Sequence, residues 1–329
     1  MTSEAFPQDR FRRLGALASV ASDAHAARFT VDDLSLEITA PVPGALRLRL
    51  GTSTLAEYGL LETANAPGAI ATVRDADGWR VSSGSLALVI RAAPFRLALE
   101  HDGCTVLASI TDQHFRGRSR IPAFGLEEAK PRRWCAAFAL ASETAIYGFG
   151  EKFGPLDKRG QLIRGRTEDA LGVNTELSYK NIPFCWSPDG WGLLAHTPGV
   201  VRHGVGYPQW SHRSHVVEVE DEALDLVFFG GEPAAILLDY ARLTGLPSLP
   251  PLWSYGMWLS RAYYKVPQEA IDAAAEVRRR RIPCDVITLD GRAAWDVRTR
   301  FAFEWDPARY DDPRRIFSEL HAQDLRVCV

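Results

Sequence analysis

The segment CDVITLDGRAAW, residues Cys284–Trp295, sets a carboxylate, Asp290, directly after the apolar run Val286–Leu289. A short continuous apolar run reads as a strand buried on both faces. In parallel α/β architectures ligands bind beyond the carboxyl ends of the strands, so Asp290 stands where a substrate-holding acid belongs. Such a carboxylate accepts hydrogens from ligand hydroxyls, or else caps backbone N–H groups of the loop it begins. Asp285 lies at the opposite end of the run, roughly 17 Å away along an extended chain. Paired glycosidase carboxylates stand about 5–9.5 Å apart, so these two are not an acid–base couple. Tyr263, after the preceding apolar segment, and Trp295, in the loop after the acid, can both be aimed at the same end of the sheet. An aromatic face beside a carboxylate makes a platform for a sugar ring, whereas the alternative for Trp295 is ordinary core packing.

Two other groups invite chemistry and are set aside. YGFGEKFG carries Gly148 and Gly150 but lacks the third glycine of a dinucleotide fingerprint and opens no helical pattern. His203, His212 and His215 cluster near Trp210 without HExxH spacing or neighbouring cysteines, and are expected to be surface histidines rather than metal ligands.

The elements that must position Asp290 follow from the patterning. From about Phe29 to Phe229 short segments alternate apolar and polar residues, among them LSLEIT, ALRLRL, LALVI, FRLALE, CAAFAL and VVEVE, separated by turns such as DADG, HDG and SPDG. Period-two alternation over some two hundred residues predicts a large antiparallel β-sandwich. Pro233 then opens a helix that Gly245 closes, giving a first domain over 1–245. LPSLPP follows as a stiff linker over 246–251, because proline fixes an extended backbone. Over 252–329 the order is strand (WSYGMWLS), helix from Pro267, strand (CDVITLD), helix from Pro313 capped by Asp312, and strand (LRVCV). Ala270, Ile271, Ala274 and Val277 share one face of the first of these helices, and Ile316, Phe317 and Leu320 one face of the second. This is a parallel sheet covered by helices. A (β/α)₈ barrel needs about 250 residues and this part supplies roughly 80, so the chain is expected to be the front of a longer protein, with an open sheet edge that leaves room for self-association into a homo-oligomer.

Composition excludes other classes. Across 329 residues, 46% are hydrophobic and 24% charged, and the formal net charge is −3, so no overall field recruits nucleic acid or an anionic membrane. The run Arg278–Arg281 ends a helical pattern, where cations complement the helix dipole on a solvated face. Five dispersed cysteines form no CxxC pair, which points to a reducing, cytoplasmic setting, and Leu14–Ala21 is a poor signal-peptide core.

YGFGEKF (Tyr147–Phe153), YKNIPF (Tyr179–Phe184), GWGLLAHTP (Gly190–Pro198), LPPLWSYGMWLS (Leu249–Ser260) and FEWDPARYDDP (Phe303–Pro313) together resemble successive blocks of glycoside hydrolase family 31, which includes α-glucosidases and α-xylosidases. The resemblance covers roughly Tyr147 to the end of the chain. It implies a galactose-mutarotase-like β-sandwich feeding a (β/α)₈ TIM barrel, and retaining hydrolysis of α-linked oligosaccharides or glycosides with no metal and no other cofactor. It places Asp290 on the acid that holds a sugar hydroxyl in the −1 subsite and Tyr263 on an aromatic wall of that pocket. The loop RTEDALGVN (Arg166–Asn174) resembles the sandwich loop that reaches over the barrel mouth, which makes Asp169 a further contact. The family's nucleophile and general acid are aspartates on later strands, past Val329, so none of the catalytic pair is expected among these residues. After the acid, GRAAW departs from the bulkier residues of many relatives, which leaves glucose, xylose or another hexose undecided. Two alternatives remain at this point. One is a non-catalytic carbohydrate-binding sandwich, for which Trp79, Trp134, Trp186, Trp191 and Trp210 would have to share a face. The other is an epimerase-like sandwich enzyme, for which no paired histidine–glutamate motif is found.

Overall fold

In Leu34–Thr39 the apolar Leu34, Leu36 and Ile38 are buried while the polar residues between them are half-exposed, the period-two signature of a strand with one face on a core. A computed structural model describes residues 10–51, 57–62, 68–111, 121–170, 176–261, 264–290 and 304–329. The chain divides into two compact units, Met1–Leu246 and Pro247–Val329.

Among the described residues the first unit is an antiparallel β-sandwich built from sheets of eight, six and five strands. The eight-stranded sheet runs Tyr147–Gly150, Asn181–Ser187, Trp191–Ala195, Leu224–Gly230, Ala45–Gly51, Leu34–Thr39, Ala26–Val31, Leu17–Ser22. One large core takes side chains from all three sheets, for example Leu36, Leu88 and Trp134. Not every strand is half-buried as alternation predicts. Leu224–Gly230 is buried throughout, because Leu226 and Phe228 face the main core while Val227 and Phe229 meet helix α1 (Pro233–Thr244) on the outer face. Helix α1 has Pro233 in its first turn and Gly245 at its C-cap, and buries Ile236 and Leu243 against that outer face.

Among the described residues the second unit holds three parallel strands in the order Trp258–Arg261, Val286–Leu289, Arg326–Cys328. Helices α2 (Pro267–Arg279) and α3 (Pro313–His321) share a core with Ile287 and Leu289, built on Ala270, Ile271, Ala274, Val277, Ile316 and Leu320. The Asp312 carboxylate caps α3 by accepting from the backbone N–H groups of Arg314 and Arg315. The strand expected over WSYGMWLS is shorter than its apolar pattern. Leu252–Tyr255 forms a 3₁₀ turn and pairing begins at Trp258, since the Ser254 hydroxyl and amide both turn back to the Pro251 carbonyl. Within the arginine run, Arg278 is half-buried and donates to the Gln323 and Asp324 carbonyls, so it ties the end of α2 to the turn before the last strand, while Arg279, Arg280 and Arg281 are exposed.

Candidate active site

Asp290 is half-buried and follows Leu289 at the carboxyl end of the central strand of the second unit. Pairing on both sides fixes that strand, with Val286 opposite Trp258 on one side and Arg326 on the other. The ladder therefore fixes the strand end at which Asp290 stands. Asp285, at the other end, serves the backbone: its N–H donates to the Met257 carbonyl at 2.9 Å and its carbonyl accepts from Arg326 N–H at 2.8 Å. Its carboxylate packs so closely on Gly256 that an added Cβ would lie 1.8 Å from Oδ2. Tyr263 and Trp295 lie outside the described residues, as do all of residues 291–303. Of the carboxylates before α3, Asp306 takes hydrogen bonds from Arg309 at 2.5 Å and from Ala308 N–H at 2.9 Å, which hold it below the ordinary aspartate range. Asp312 is spent on its cap.

Asp169 belongs to the other unit, in the segment after the strand Gln161–Gly165. It is exposed, and its Oδ1 accepts from the Tyr179 hydroxyl at 2.7 Å, a bond that raises the tyrosine's pKa. Residues on either side of it, 164–168 and 176–178, run together, with an isolated parallel bridge between Thr167 and Ser178 and a bond from Glu168 N–H to the Ser178 carbonyl. Tyr179 belongs to the YKNIPF block, yet nothing local in that block marks it as a partner for Asp169.

Beside these segments a cleft of about 640 Å³ opens on the outer face of the eight-stranded sheet, walled by Leu61, Ile182, Leu194 and Tyr240 among others. His196 lines it and belongs to a buried charge network: its Nδ1 lies 2.9 Å from Asp225 Oδ2, and Arg47 grips both oxygens of Asp225 at 2.9 and 2.6 Å. Arg47 also donates to Glu57 at 3.0 and 3.1 Å. Burial pushes the Asp225 carboxyl up, but hydrogen bonds from His196 and Arg47 outweigh it and hold the group ionised below its usual range.

The set-aside motifs resolve as backbone and core. Gly148 (φ 116°) and Gly150 (φ 76°) sit at a register shift in the edge strand, in conformations that side chains avoid. The expectation of surface histidines fails for two of three. His203 and His215 are fully buried while His212 is exposed. Val201, His203 and Val205, like His215, Val217 and Val219, alternate onto the core face, so the period that places the valines also carries the histidines inward.

The fold is an antiparallel sandwich followed by parallel β/α units, with an acid at the carboxyl end of the central strand. Residues 35–201 match the glycosyl hydrolase 31 N-terminal galactose mutarotase-like domain, and residues 247–329 match the glycosyl hydrolases family 31 TIM-barrel domain. The chain belongs to glycoside hydrolase family 31. It is 28% identical over 320 residues to an α-xylosidase of Emericella nidulans, covering 90% of this chain and 40% of that one. It is 30% identical over 197 residues to the α-xylosidase XylQ of Lactiplantibacillus pentosus, covering 58% and 25%. Among solved structures, a family 31 α-xylosidase from a soil metagenome complexed with xylose superposes with a TM-score of 0.79 at 20% identity, covering 94% of this chain and 46% of that one. A Flavobacterium johnsoniae family 31 dextranase complexed with glucose gives 0.79 at 18% identity, covering 96% and 38%. The chain thus spans less than half the length of these relatives.

Proposed function

We propose that this chain supplies the sandwich and first barrel units of a retaining α-glycosidase that releases α-linked xylose or glucose from oligosaccharides or glycosides. The observation that carries the reading is Asp290 at the carboxyl end of the central parallel strand, where a barrel enzyme binds its substrate. In this reading Asp290 accepts a hydroxyl hydrogen of the −1 sugar, Asp169 contacts the substrate from the sandwich loop, and Tyr263 and Trp295 wall the pocket. The nucleophile and proton donor come from later strands of a complete barrel. The two α-xylosidase relatives favour xylose, and the pocket-shaping stretch Gly291–Trp295 leaves glucose as the second sugar to assay.

The test is Asp290→Ala in an enzyme carrying this chain ahead of a complete barrel. A charge-assisted hydrogen bond lost at the reacting sugar costs about 1.5–3 kcal/mol, so kcat/KM should fall more than tenfold with unchanged circular dichroism. An unchanged kcat/KM refutes the assignment. The sandwich tryptophans speak against a separate binding module: Trp134, Trp191 and Trp210 are buried, and Trp79 and Trp186 are half-buried against two different clusters.

A further inference from the structure

The segment that carries Asp169 is held by two side chains from motifs whose role the site has not used. Lys152, in YGFGEKF, donates from Nζ to the Arg164 carbonyl at 2.6 Å and to the Glu176 carbonyl at 3.5 Å. Asn181, in YKNIPF, donates from Nδ2 to the Arg166 carbonyl and to the Ser178 carbonyl, both at 2.9 Å, and its Oδ1 accepts from the Ser178 hydroxyl at 3.1 Å. Each side chain therefore joins one carbonyl before Asp169 to one after it. The spacing between the two links is short: 164 pairs with 176 through Lys152, and 166 with 178 through Asn181. An ion pair of Arg164 Nε with Glu176 Oε1 at 3.2 Å adds a third crossing, exposed and so weak. Backbone carbonyls at the outer edge of a strand, as at Arg164, or in the arms beyond it need donors, and an ammonium with three or an amide with two can serve both arms at once. Tyr179, next to Ser178, then fixes the Asp169 carboxylate itself.

We propose that Lys152 and Asn181 are positioning residues that staple the two arms of this segment, so that the Tyr179–Asp169 pair is presented to the substrate in one orientation. The inference rests on the reading of Asp169 as a substrate contact. A preorganised polar contact binds without the cost of ordering the loop at the moment of binding. Its loss removes interactions common to ground and transition states, which raises KM and leaves kcat nearly unchanged.

The experiment has two arms. In the 329-residue chain, Asn181→Ala and Lys152→Met should speed hydrogen exchange at the Glu168 amide at least tenfold, while exchange in the strand Leu224–Gly230 stays as in the parent. In an enzyme carrying this chain with a complete barrel, both variants and Tyr179→Phe should raise KM for an α-linked disaccharide about tenfold, with kcat within about twofold. Tyr179→Phe removes one exposed hydroxyl and keeps the test open if the staple variants fold poorly. Asp169→Asn and Asp290→Ala are the controls. If Asp169→Asn raises KM while the staple variants and Tyr179→Phe do not, the stapling inference is overturned and the functional reading stands. If neither Asp169→Asn nor Asp290→Ala changes the kinetics, the functional reading itself fails. Unchanged exchange at Glu168 in both staple variants also overturns the inference.

Discussion

His203 and His215 lie on adjacent strands of the six-stranded sheet with Nδ1 of the first 3.1 Å from Nε2 of the second, both fully buried and packed against Phe149 and Trp191. Their outer nitrogens, His203 Nε2 and His215 Nδ1, have no hydrogen-bond partner among the described residues. Burial pushes His215 down to about 3, and burial together with its neighbour pushes His203 down as well.

The pair should make the sandwich acid-sensitive. In the unfolded chain each histidine titrates near the ordinary value of about 6.5, so below that pH the unfolded state binds protons the folded state refuses. Stability is fully present above about pH 6.5 and is lost as pH falls toward 3, at up to about 1.4 kcal/mol per pH unit for each histidine. Urea midpoints between pH 7.5 and 4.5 measure the slope. His215→Phe should flatten it, and an unchanged slope would show that the pair does not titrate in this window.

Arg47→Met should be strongly destabilising. It leaves Asp225 buried with its main countercharge gone, a loss of about 3–5 kcal/mol when one partner of a buried pair is removed. A shift in urea stability below about 1 kcal/mol would mean that water enters the network. Because the Asp225 pKa is lowered, the pair's contribution is present above about pH 4 and is lost as pH falls further, so it leaves the slope between pH 7.5 and 4.5 to the histidines.

Gly148→Ala should cost roughly 2–5 kcal/mol by backbone strain and overpacking. At φ 116° a side chain is disfavoured, and the new Cβ would sit 2.5 Å from the Phe184 carbonyl oxygen. Thermal melting reads the effect; a midpoint within a degree of the parent would show that the edge strand relaxes freely.

These 329 residues alone are expected not to hydrolyse aryl α-xyloside or α-glucoside. Retaining hydrolysis needs a nucleophile and a proton donor about 5–5.5 Å apart across one bond. Asp285 is at the far end of Asp290's strand, and Asp306 and Asp312 are engaged in local bonds. Turnover matching that of an enzyme with a complete barrel would mean that another carboxylate pair does the work.

Much of this was determined by the sequence alone. Prolines at the starts of α1, α2 and α3, the Asp312 cap and the apolar faces of the barrel helices are local signals, and each acts within a few residues of where it is written. Asp290 was legible for the same reason: an apolar strand ending on a carboxylate fixes which end of the sheet the acid meets. The tertiary structure alone decided where polar side chains found their partners. Lys152 reaches Arg164 and Glu176, Tyr179 reaches Asp169, and Arg47 reaches Asp225 across most of the sandwich sequence. Alternation assigns a side chain to a face, but what covers that face depends on strand order. His203 and His215 become a buried pair only because their strands are neighbours and a second sheet closes over the valines beside them.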